Sequence, residues 1–184
     1  MNILTKKYAV ENLGVDVAQF DLPERVLQFG TGVLLRGLVD NLIDKANKQG
    51  VFNGRILIVK STNSDSSDFD KQDSVFTLNE RGIVNGEAVK TSSVITAINR
   101  VVSATDEWAA ILACAENLNL DVIISNTTEA GIAYVEEDIF AMPPKSFPSK
   151  LTAFLYKRFN FVNGKGGGFV VIPTELIVDR KSVV

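Results

Sequence analysis

The chain has 184 residues, a net charge of −3 and 46% apolar residues, which fits one soluble globular domain. It contains no His and a single Cys, which excludes a Ser-His-Asp triad, an internal disulfide and a zinc knuckle. The acidic balance argues against broad nucleic-acid binding, and no apolar run approaches the about 18 residues of a membrane span. The first 19 residues lack the apolar block of a secretory signal. We therefore expect a cytoplasmic protein with no nucleic-acid or membrane partner.

The N-terminal third predicts a strand, a helix and a second strand. Residues 25–29 form a β-prone run that ends at Gly30, and the unbroken apolar run 56–59 predicts a strand covered on both faces. Between them, apolar residues recur at helical spacing over residues 33–47, and Gly50 stands where that helix would stop. The predicted buried stripe consists of Leu34, Leu35, Leu38, Leu42 and Ala46. The three elements predict a right-handed βαβ unit.

The remaining residues continue the alternation of strands and helices after an antiparallel insertion. Residues 61–73 predict a surface loop, and Gly82 and Asn85-Gly86 are turn residues of the insertion. The predicted strands are residues 75–79, 87–91, 95–102, 121–125 and 169–172. One predicted helix spans residues 106–117 and is capped by Thr105. A second begins at Ser146 or Phe147 with Pro148 in its first turn. One face of this second helix consists of Leu151, Phe154, Leu155 and Phe159. Residues 163–168 predict a mobile glycine-rich loop. The pattern predicts a Rossmann-like, doubly wound α/β fold with a mostly parallel sheet.

A glycine turn joins the first strand to the first helix. In this turn, Gly30 permits a tight bend and Gly32 lets a diphosphate approach the backbone at the positive end of the helix. The third glycine of the usual G-x-G-x-x-G pattern would fall at Leu35, whereas the chain has Gly37. The turn therefore predicts either dinucleotide binding or a plain strand-to-helix connection. The cofactor-binding residues expected here are Gly30, Thr31, Gly32, Val33 and Leu34.

Two further strand ends carry polar residues that suit a nucleotide. At the end of the second strand, Ser61 or Thr62 could bond a ribose hydroxyl, and Lys60 is either a partner for a 2′-phosphate or a solvated strand end. No acid stands there, so spacing does not choose between NAD and NADP. After residues 121–125, the candidates for ribose or nicotinamide are Asn126, Thr127, Thr128 and the carboxylate of Glu129. The same residue types also make turns and helix caps.

Two other patterns predict no ligand. The loop acids lack the glycine and the bidentate Glu that a calcium loop needs; they are Asp65, Asp68, Asp70 and Asp73. The glycine-rich segment 163–168 lacks the Gly-Lys-Ser/Thr ending of a phosphate loop. Lys150, at the start of a helix, is expected to be a solvated charge.

Several segments together resemble a known family. Residues 24–36, which end in Phe-Gly-Thr-Gly-Val-Leu-Leu-Arg, resemble the opening strand and glycine turn of the mannitol dehydrogenase family of polyol dehydrogenases. The segments that resemble its tagaturonate reductase (altronate oxidoreductase) branch are residues 77–82, 124–131 and 143–151, and residues 172–177 fit the strand that leads out of its nucleotide-binding domain.

The resemblance implies NAD-linked interconversion of tagaturonate and altronate in hexuronate catabolism. It implies that residues 1–184 are the dinucleotide-binding domain, and that the catalytic Lys, its Asn and His partners and the sugar-acid pocket lie in a C-terminal helical domain absent from this chain. No catalytic residue is then expected here. The cofactor-binding residues that the resemblance carries over are Gly30, Gly32, Arg36, Asn126, Thr127 and Glu129. Two alternatives stay open: an NAD(H)-sensing module without catalysis, and an S-adenosylmethionine-dependent methyltransferase.

Overall fold

The structure, a computed structural model, describes residues 3–61 and 67–176. Its α-helices are α1 (Lys6–Leu13), α2 (Asp40–Lys48), α3 (Ser67–Lys71), α4 (Trp108–Ala113) and α5 (Phe147–Phe161). Its strands are β1 (Glu24–Phe29), β2 (Arg55–Lys60), β3 (Phe76–Val84), β4 (Glu87–Ile95), β5 (Ile98–Ser103), β6 (Val122–Ser125) and β7 (Val170–Pro173). A π-helical turn (Leu35–Val39) precedes α2, and short 3₁₀ turns span Val17–Phe20 and Cys114–Glu116.

Five strands form one sheet in the order β5-β2-β1-β6-β7, and β3 and β4 form a separate hairpin. The strand β6 runs parallel to both β1 and β7, with Val26 opposite Val122 and Val122 opposite Val170. The hairpin is antiparallel and turns at Asn85-Gly86, where both residues have positive φ, as a two-residue hairpin turn requires. The order of the five-stranded sheet is that of a Rossmann fold, which confirms the predicted fold class and the antiparallel insertion.

The described chain divides into two compact units. The first comprises residues 3–24, 33–57 and 67–101. Its buried apolar side chains are Ala9, Leu35, Ile56, Leu57, Val75, Ile95, Ala97 and Ile98. The guanidinium of Arg55 is fully buried beside them and donates hydrogen bonds to the carbonyl oxygens of Phe20, Thr96 and Ile98. These bonds satisfy backbone acceptors that would otherwise be buried without a partner.

The second unit comprises residues 25–32, 58–61 and 102–176. Its largest buried apolar side chains are Leu27, Phe29, Ile58, Trp108, Ile111, Leu120, Ile123 and Phe154. Arg158 of α5 is buried as well, and its guanidinium donates hydrogen bonds to four backbone carbonyls, those of Ala115, Asn117, Leu120 and Gly167. These bonds tie α5 to the segment before β6 and to the glycine-rich loop before β7.

The helix after β1 turns its polar side inward, so the predicted apolar stripe is wrong. Leu34, Leu38 and Leu42 are between 50% and 55% exposed, and Leu35 alone of the five is fully buried. The π-helical turn adds one residue to the helix, which rotates all later side chains by about 100° relative to α-helical spacing. Buried polar side chains then face inward, and those of Asp44 and Asn47 find backbone partners. Asp44 accepts hydrogen bonds from the backbone N–H and the hydroxyl of Thr96.

Several element boundaries also differ from those predicted. Gly82 lies inside β3, because the hairpin strands extend to nine residues each. The strand expected from residue 95 begins at Ile98, and the helix expected from residue 106 begins at Trp108 with Glu107 as its N-cap, so Thr105 is not the cap. A hydrogen-bonded turn between Ser103 and Glu107 occupies the residues that were expected to start the helix. The short helix α3 interrupts the predicted loop, and α1 had no counterpart among the predictions.

Candidate functional site

A cavity of about 590 Å³ opens where three strands of the sheet end. Its wall is formed by residues that follow β1, β2 and β6 and by the start of α5, all of them in the second unit. The lining residues are Phe29, Gly30, Thr31, Lys60, Ser61, Asn126, Thr127, Thr128, Ala130, Gly131, Val135, Lys145, Ser146, Phe147 and Lys150. In the sheet, β2 lies on one side of β1 and β6 on the other, so the direction in which successive strands are added changes at β1. Open α/β sheets bind ligands at such a switch point.

The turn after β1 has the conformation expected of a ligand-binding glycine turn. Gly30 has φ of 118°, a value that residues with a side chain rarely adopt, and its N–H donates to the carbonyl of Val59. Gly32 stands directly before the first helical residue, and a Cβ built on it contacts no atom within 4 Å. No described atom therefore blocks the backbone there, and its contact with a ligand stays a prediction.

The end of β6 is held in place by the residues that follow β7. The side-chain amide of Asn126 donates to the carbonyl of Thr174 at 2.7 Å, and the N–H of Thr127 donates to the Glu175 carboxylate at 3.2 Å. Both the N–H and the hydroxyl of Thr174 donate back to the carbonyl of Ser125. These bonds fix the backbone at this edge of the cavity.

Thr127 lines the cavity and carries an unused polar atom. Its Oγ1 is buried and has no hydrogen-bond partner in the part of the chain that the structure describes. A buried hydroxyl without a partner costs about 1–3 kcal/mol, so such an atom marks a place where a ligand would be stabilised. Thr128 is exposed, and the N–H of Gly131 donates to its carbonyl in a turn.

Lys60 is not the solvated strand end that one reading of the sequence allowed. Its side chain is only 6% exposed and lines the cavity, and the backbone carbonyl accepts from the N–H of Ala104. Ser61 is exposed at the rim of the same cavity, whereas Thr62 lies outside the described residues. The second strand thus contributes a cation and a hydroxyl to the site.

Lys150 was predicted to be a solvated charge, and that prediction is wrong. Its side chain is 5% exposed, and Nζ donates to the carbonyl of Lys145 at 2.6 Å. Burial lowers the pKa of Lys150, while the negative charge of Glu137 acts in the opposite direction. The one signal that could have located this residue was its helical spacing from Phe147 and Phe154, which places it on the inner side of α5.

Glu137 organises the start of α5. Its two carboxylate oxygens accept from the backbone N–H groups of Lys145, at 2.6 Å, and Ser146, at 2.8 Å. The Ser146 side chain and these two N–H groups lower the pKa of Glu137 from 4.5 to about 2. Ser146 in turn caps the helix, since its hydroxyl accepts from the N–H of Ser149, and this cap was predicted. Sequence reasoning did not find Glu137, because it lies eight residues before its first partner.

Five of the predicted cofactor residues do not line the cavity: Gly32, Val33, Leu34, Arg36 and Glu129. Val33 and Glu129 are exposed, and Leu34 is half exposed. The guanidinium of Arg36 lies 5.9 Å from the centre of the Phe69 ring, and its Nε is buried without a hydrogen-bond partner among the described residues. Their role in binding stays a prediction.

The remaining expectations concern metals and membranes. Within residues 3–61 and 67–176, no three Cys, Asp or Glu side chains are grouped so that they could bind a metal ion, and Asp65 lies outside that range. Cys114 is a free thiol. None of the described helices combines the length and the apolar character needed to cross a bilayer.

The chain is similar over most of its length to named enzymes. It is 42% identical over 167 residues to the altronate oxidoreductase of Halalkalibacterium halodurans, which covers 89% of this chain and 33% of that protein. It is also 42% identical over 158 residues to the altronate oxidoreductase of Bacillus subtilis, covering 84% of this chain and 33% of that protein. The chain therefore spans about a third of the length of these curated relatives.

Solved structures share the fold at low identity. Mannitol 2-dehydrogenase of Pseudomonas fluorescens, in a ternary complex with NAD and D-mannitol, superposes with a TM-score of 0.74 at 17% identity, over 95% of this chain and 39% of that one. A D-sorbitol dehydrogenase in substrate-free form superposes with a TM-score of 0.74 at 18% identity, over 96% of this chain and 40% of that one. The family model described as the mannitol dehydrogenase Rossmann domain matches residues 24–184. With a match of that extent, the chain belongs to the mannitol dehydrogenase family.

Proposed function

We propose that this chain is the dinucleotide-binding domain of an NAD-dependent oxidoreductase that interconverts tagaturonate and altronate in the cytoplasmic catabolism of hexuronates. The observation that carries the proposal is the cavity at the switch point of the sheet, bordered by a glycine turn in a left-handed conformation. The relatives named altronate oxidoreductase supply the reaction class. No observation favours a methyltransferase or a sensor.

The residues present fit a dinucleotide. The orphaned Oγ1 of Thr127 offers a hydrogen bond on the side of β6, and the open backbone at Gly32 admits a bulky group on the side of β1. The glycine turn at 30–32 would hold the diphosphate, Ser61 a ribose hydroxyl, and residues 126–128 the nicotinamide half. When bound, NAD supplies the hydride acceptor for oxidation of a secondary alcohol.

The base that takes the hydroxyl proton is proposed to lie outside these residues, in a second, helical domain of the longer enzyme. The chain has no His, and it spans about a third of its relatives. Lys150 has a lowered pKa, which is a property of catalytic lysines. However, its ammonium is held by the carbonyl of Lys145 and by the charge of Glu137, and both favour the protonated form that cannot act as a base.

Calorimetric titration of the chain with NADH, NADPH and S-adenosylmethionine tests the proposal. We expect saturable NADH binding and none for S-adenosylmethionine. We also expect NADH to bind better than NADPH, because the mannitol 2-dehydrogenase that shares the fold is complexed with NAD, although Lys60 would attract a 2′-phosphate. A preference for NADPH of about tenfold, or 1.4 kcal/mol, would overturn the choice of NAD.

An activity assay tests where the base lies. With saturating D-altronate and NAD, the purified chain is expected to form no NADH, measured by absorbance. Turnover that follows the protein through purification and is lost in Lys150→Met or Glu129→Gln would show that this domain carries its own chemistry.

A further inference from the structure

Lys150 is a buried cation whose hydrogen bonds are incomplete. An ammonium has three N–H donors, and Nζ of Lys150 uses one of them, toward the carbonyl of Lys145. Among the described residues, no carboxylate forms an ion pair with it, and both oxygens of Glu137 accept from backbone N–H groups. Lysine is almost never buried without a partner, because removing its charge from water is costly. A ligand that supplied a negative charge would remove that cost.

The cavity as a whole has the sign expected of an anion site. Three lysines line it, Lys60, Lys145 and Lys150, and no Asp or Glu of the described residues is among its lining residues. The rest of the chain therefore carries a net charge of −6, because the whole chain carries −3. Charges near a low-dielectric wall act more strongly than charges in water.

Two aromatic rings form an apolar wall of the cavity that Lys150 lines. Phe147 stands three residues before Lys150 on α5, and its ring meets that of Phe29 edge to face, with centroids 5.1 Å apart. Both of these residues line the cavity together with Lys150. An apolar wall and one ammonium suit a compact ligand that carries one negative charge.

We propose that Lys150 binds the carboxylate of the sugar-acid substrate and thereby selects an aldonate over a neutral polyol. This inference rests on the proposed function. Altronate is an aldonic acid and ionised at neutral pH, whereas mannitol and sorbitol, which the structural neighbours are named for, carry no charge. The cofactor diphosphate is the other anion to consider. It is bound by the glycine turn after the first strand in Rossmann folds, while Lys150 belongs to the half that follows β6.

Nuclear magnetic resonance of the chain labelled with ¹³C at lysine Cε tests the inference. The signal of Lys150 is identified by its loss in Lys150→Arg. D-altronate and the neutral altritol are titrated in turn, each with and without saturating NADH, which cannot react with either. We expect altronate to shift the Lys150 signal saturably, and altritol to bind at least about tenfold more weakly, a difference of about 1.4 kcal/mol.

Two matched variants separate Lys150 from an exposed lysine of the same helix. Lys150→Met keeps the length of the side chain and removes its charge, so altronate affinity should fall at least about tenfold while NADH affinity stays within about threefold. Lys157→Met removes an exposed charge that does not line the cavity and should change altronate affinity by less than about threefold. Retained altronate affinity in a folded Lys150→Met protein would contradict the inference.

The remaining outcomes distinguish the inference from the proposed function. If the unaltered chain binds altronate and altritol equally well, the carboxylate is not recognised and the inference is wrong, whether or not NADH binds. If Lys150→Met weakens NADH but not altronate, the cation serves the cofactor diphosphate, which overturns the inference and leaves the proposed function standing. If NADH does not bind while altronate still shifts Lys150, the proposed cofactor is wrong and the anion site stands.

Discussion

Replacing Gly32 with Val separates cofactor binding from folding. A Cβ at this position contacts no atom within 4 Å, and the residue is not among the glycines with positive φ, so we expect Val to be compatible with the folded backbone. Replacing a glycine under these conditions removes conformational freedom from the unfolded chain and thereby stabilises the folded protein by about 0.4–1 kcal/mol. For a chain of this size, 1 kcal/mol changes the melting temperature by about 2–4 °C. We therefore expect Gly32→Val to fold and to melt within about 4 °C of the unaltered protein.

The same substitution should impair binding of the dinucleotide. A Rossmann glycine at this place lets the diphosphate approach the backbone, and the two methyl groups of Val would occupy that space. We expect the NADH dissociation constant, measured by calorimetric titration, to rise at least about tenfold, or 1.4 kcal/mol. Gly37→Ala is the matched control, because Gly37 is equally open but lies in the helical turn, and its NADH affinity should change by less than about threefold. If Gly32→Val folds and keeps full NADH affinity, the glycine turn does not hold the cofactor.

Three further predictions concern stability and pH, each checked by urea unfolding. Leu35→Ala should lower the free energy of unfolding by about 2–5 kcal/mol and Leu38→Ala by less than about 1 kcal/mol, because Leu35 is fully buried and Leu38 is half exposed. Equal decreases for the two variants would contradict the inward polar face of the helix. Arg158→Met should lower the free energy of unfolding by at least about 3 kcal/mol, since four backbone carbonyls would be left without their charged donor. Lys157→Met removes an exposed ion pair and should lower it by at most about 1 kcal/mol. The pKa of Glu137 is lowered from 4.5 to about 2, so its stabilising contribution is complete above 4.5 and disappears as the pH falls toward 2. The stability difference from Glu137→Gln should therefore shrink over that range, and a difference unchanged between pH 5 and pH 2 would show that the carboxylate does not stabilise the fold.

The fold could be predicted because its signals are local. The buried strands β2 and β6 are short unbroken apolar runs, and the turn at Gly30 needs a residue that tolerates positive φ. Each of these signals occupies a few consecutive residues, so a single sequence contains all the information needed. The alternation of strands with helices then indicates a mostly parallel, doubly wound sheet, but it does not specify the order of the strands.

The inward face of α2 could not be predicted from periodicity. A helical wheel assumes 3.6 residues per turn throughout, and the π-helical turn before α2 breaks that assumption by one residue. What stabilises the reversed face is non-local. Asp44 finds its partner in Thr96, 52 residues later, and Asn47 exchanges two hydrogen bonds with the backbone of Gly54.

The candidate site was predicted in part, and the missing part has a common cause. Asn126 and Thr127 stand immediately after a strand, where position alone indicates a ligand. Glu137 and Lys150 do not directly follow a strand, so their positions in the sequence do not indicate a ligand. Their roles depend on a loop that brings a carboxylate to the backbone N–H groups at the start of α5 and encloses an ammonium four residues further on.

The distribution of charge determines which ligands the cavity can accept. A net charge of −3 opposes the approach of an extended polyanion, whose phosphates would meet the acidic surface along its length. The three lysines of the cavity, Lys60, Lys145 and Lys150, reverse the sign within a volume of about 590 Å³. We therefore expect a compact anion that fits inside the cavity to be attracted, which is what the proposed role of Lys150 requires.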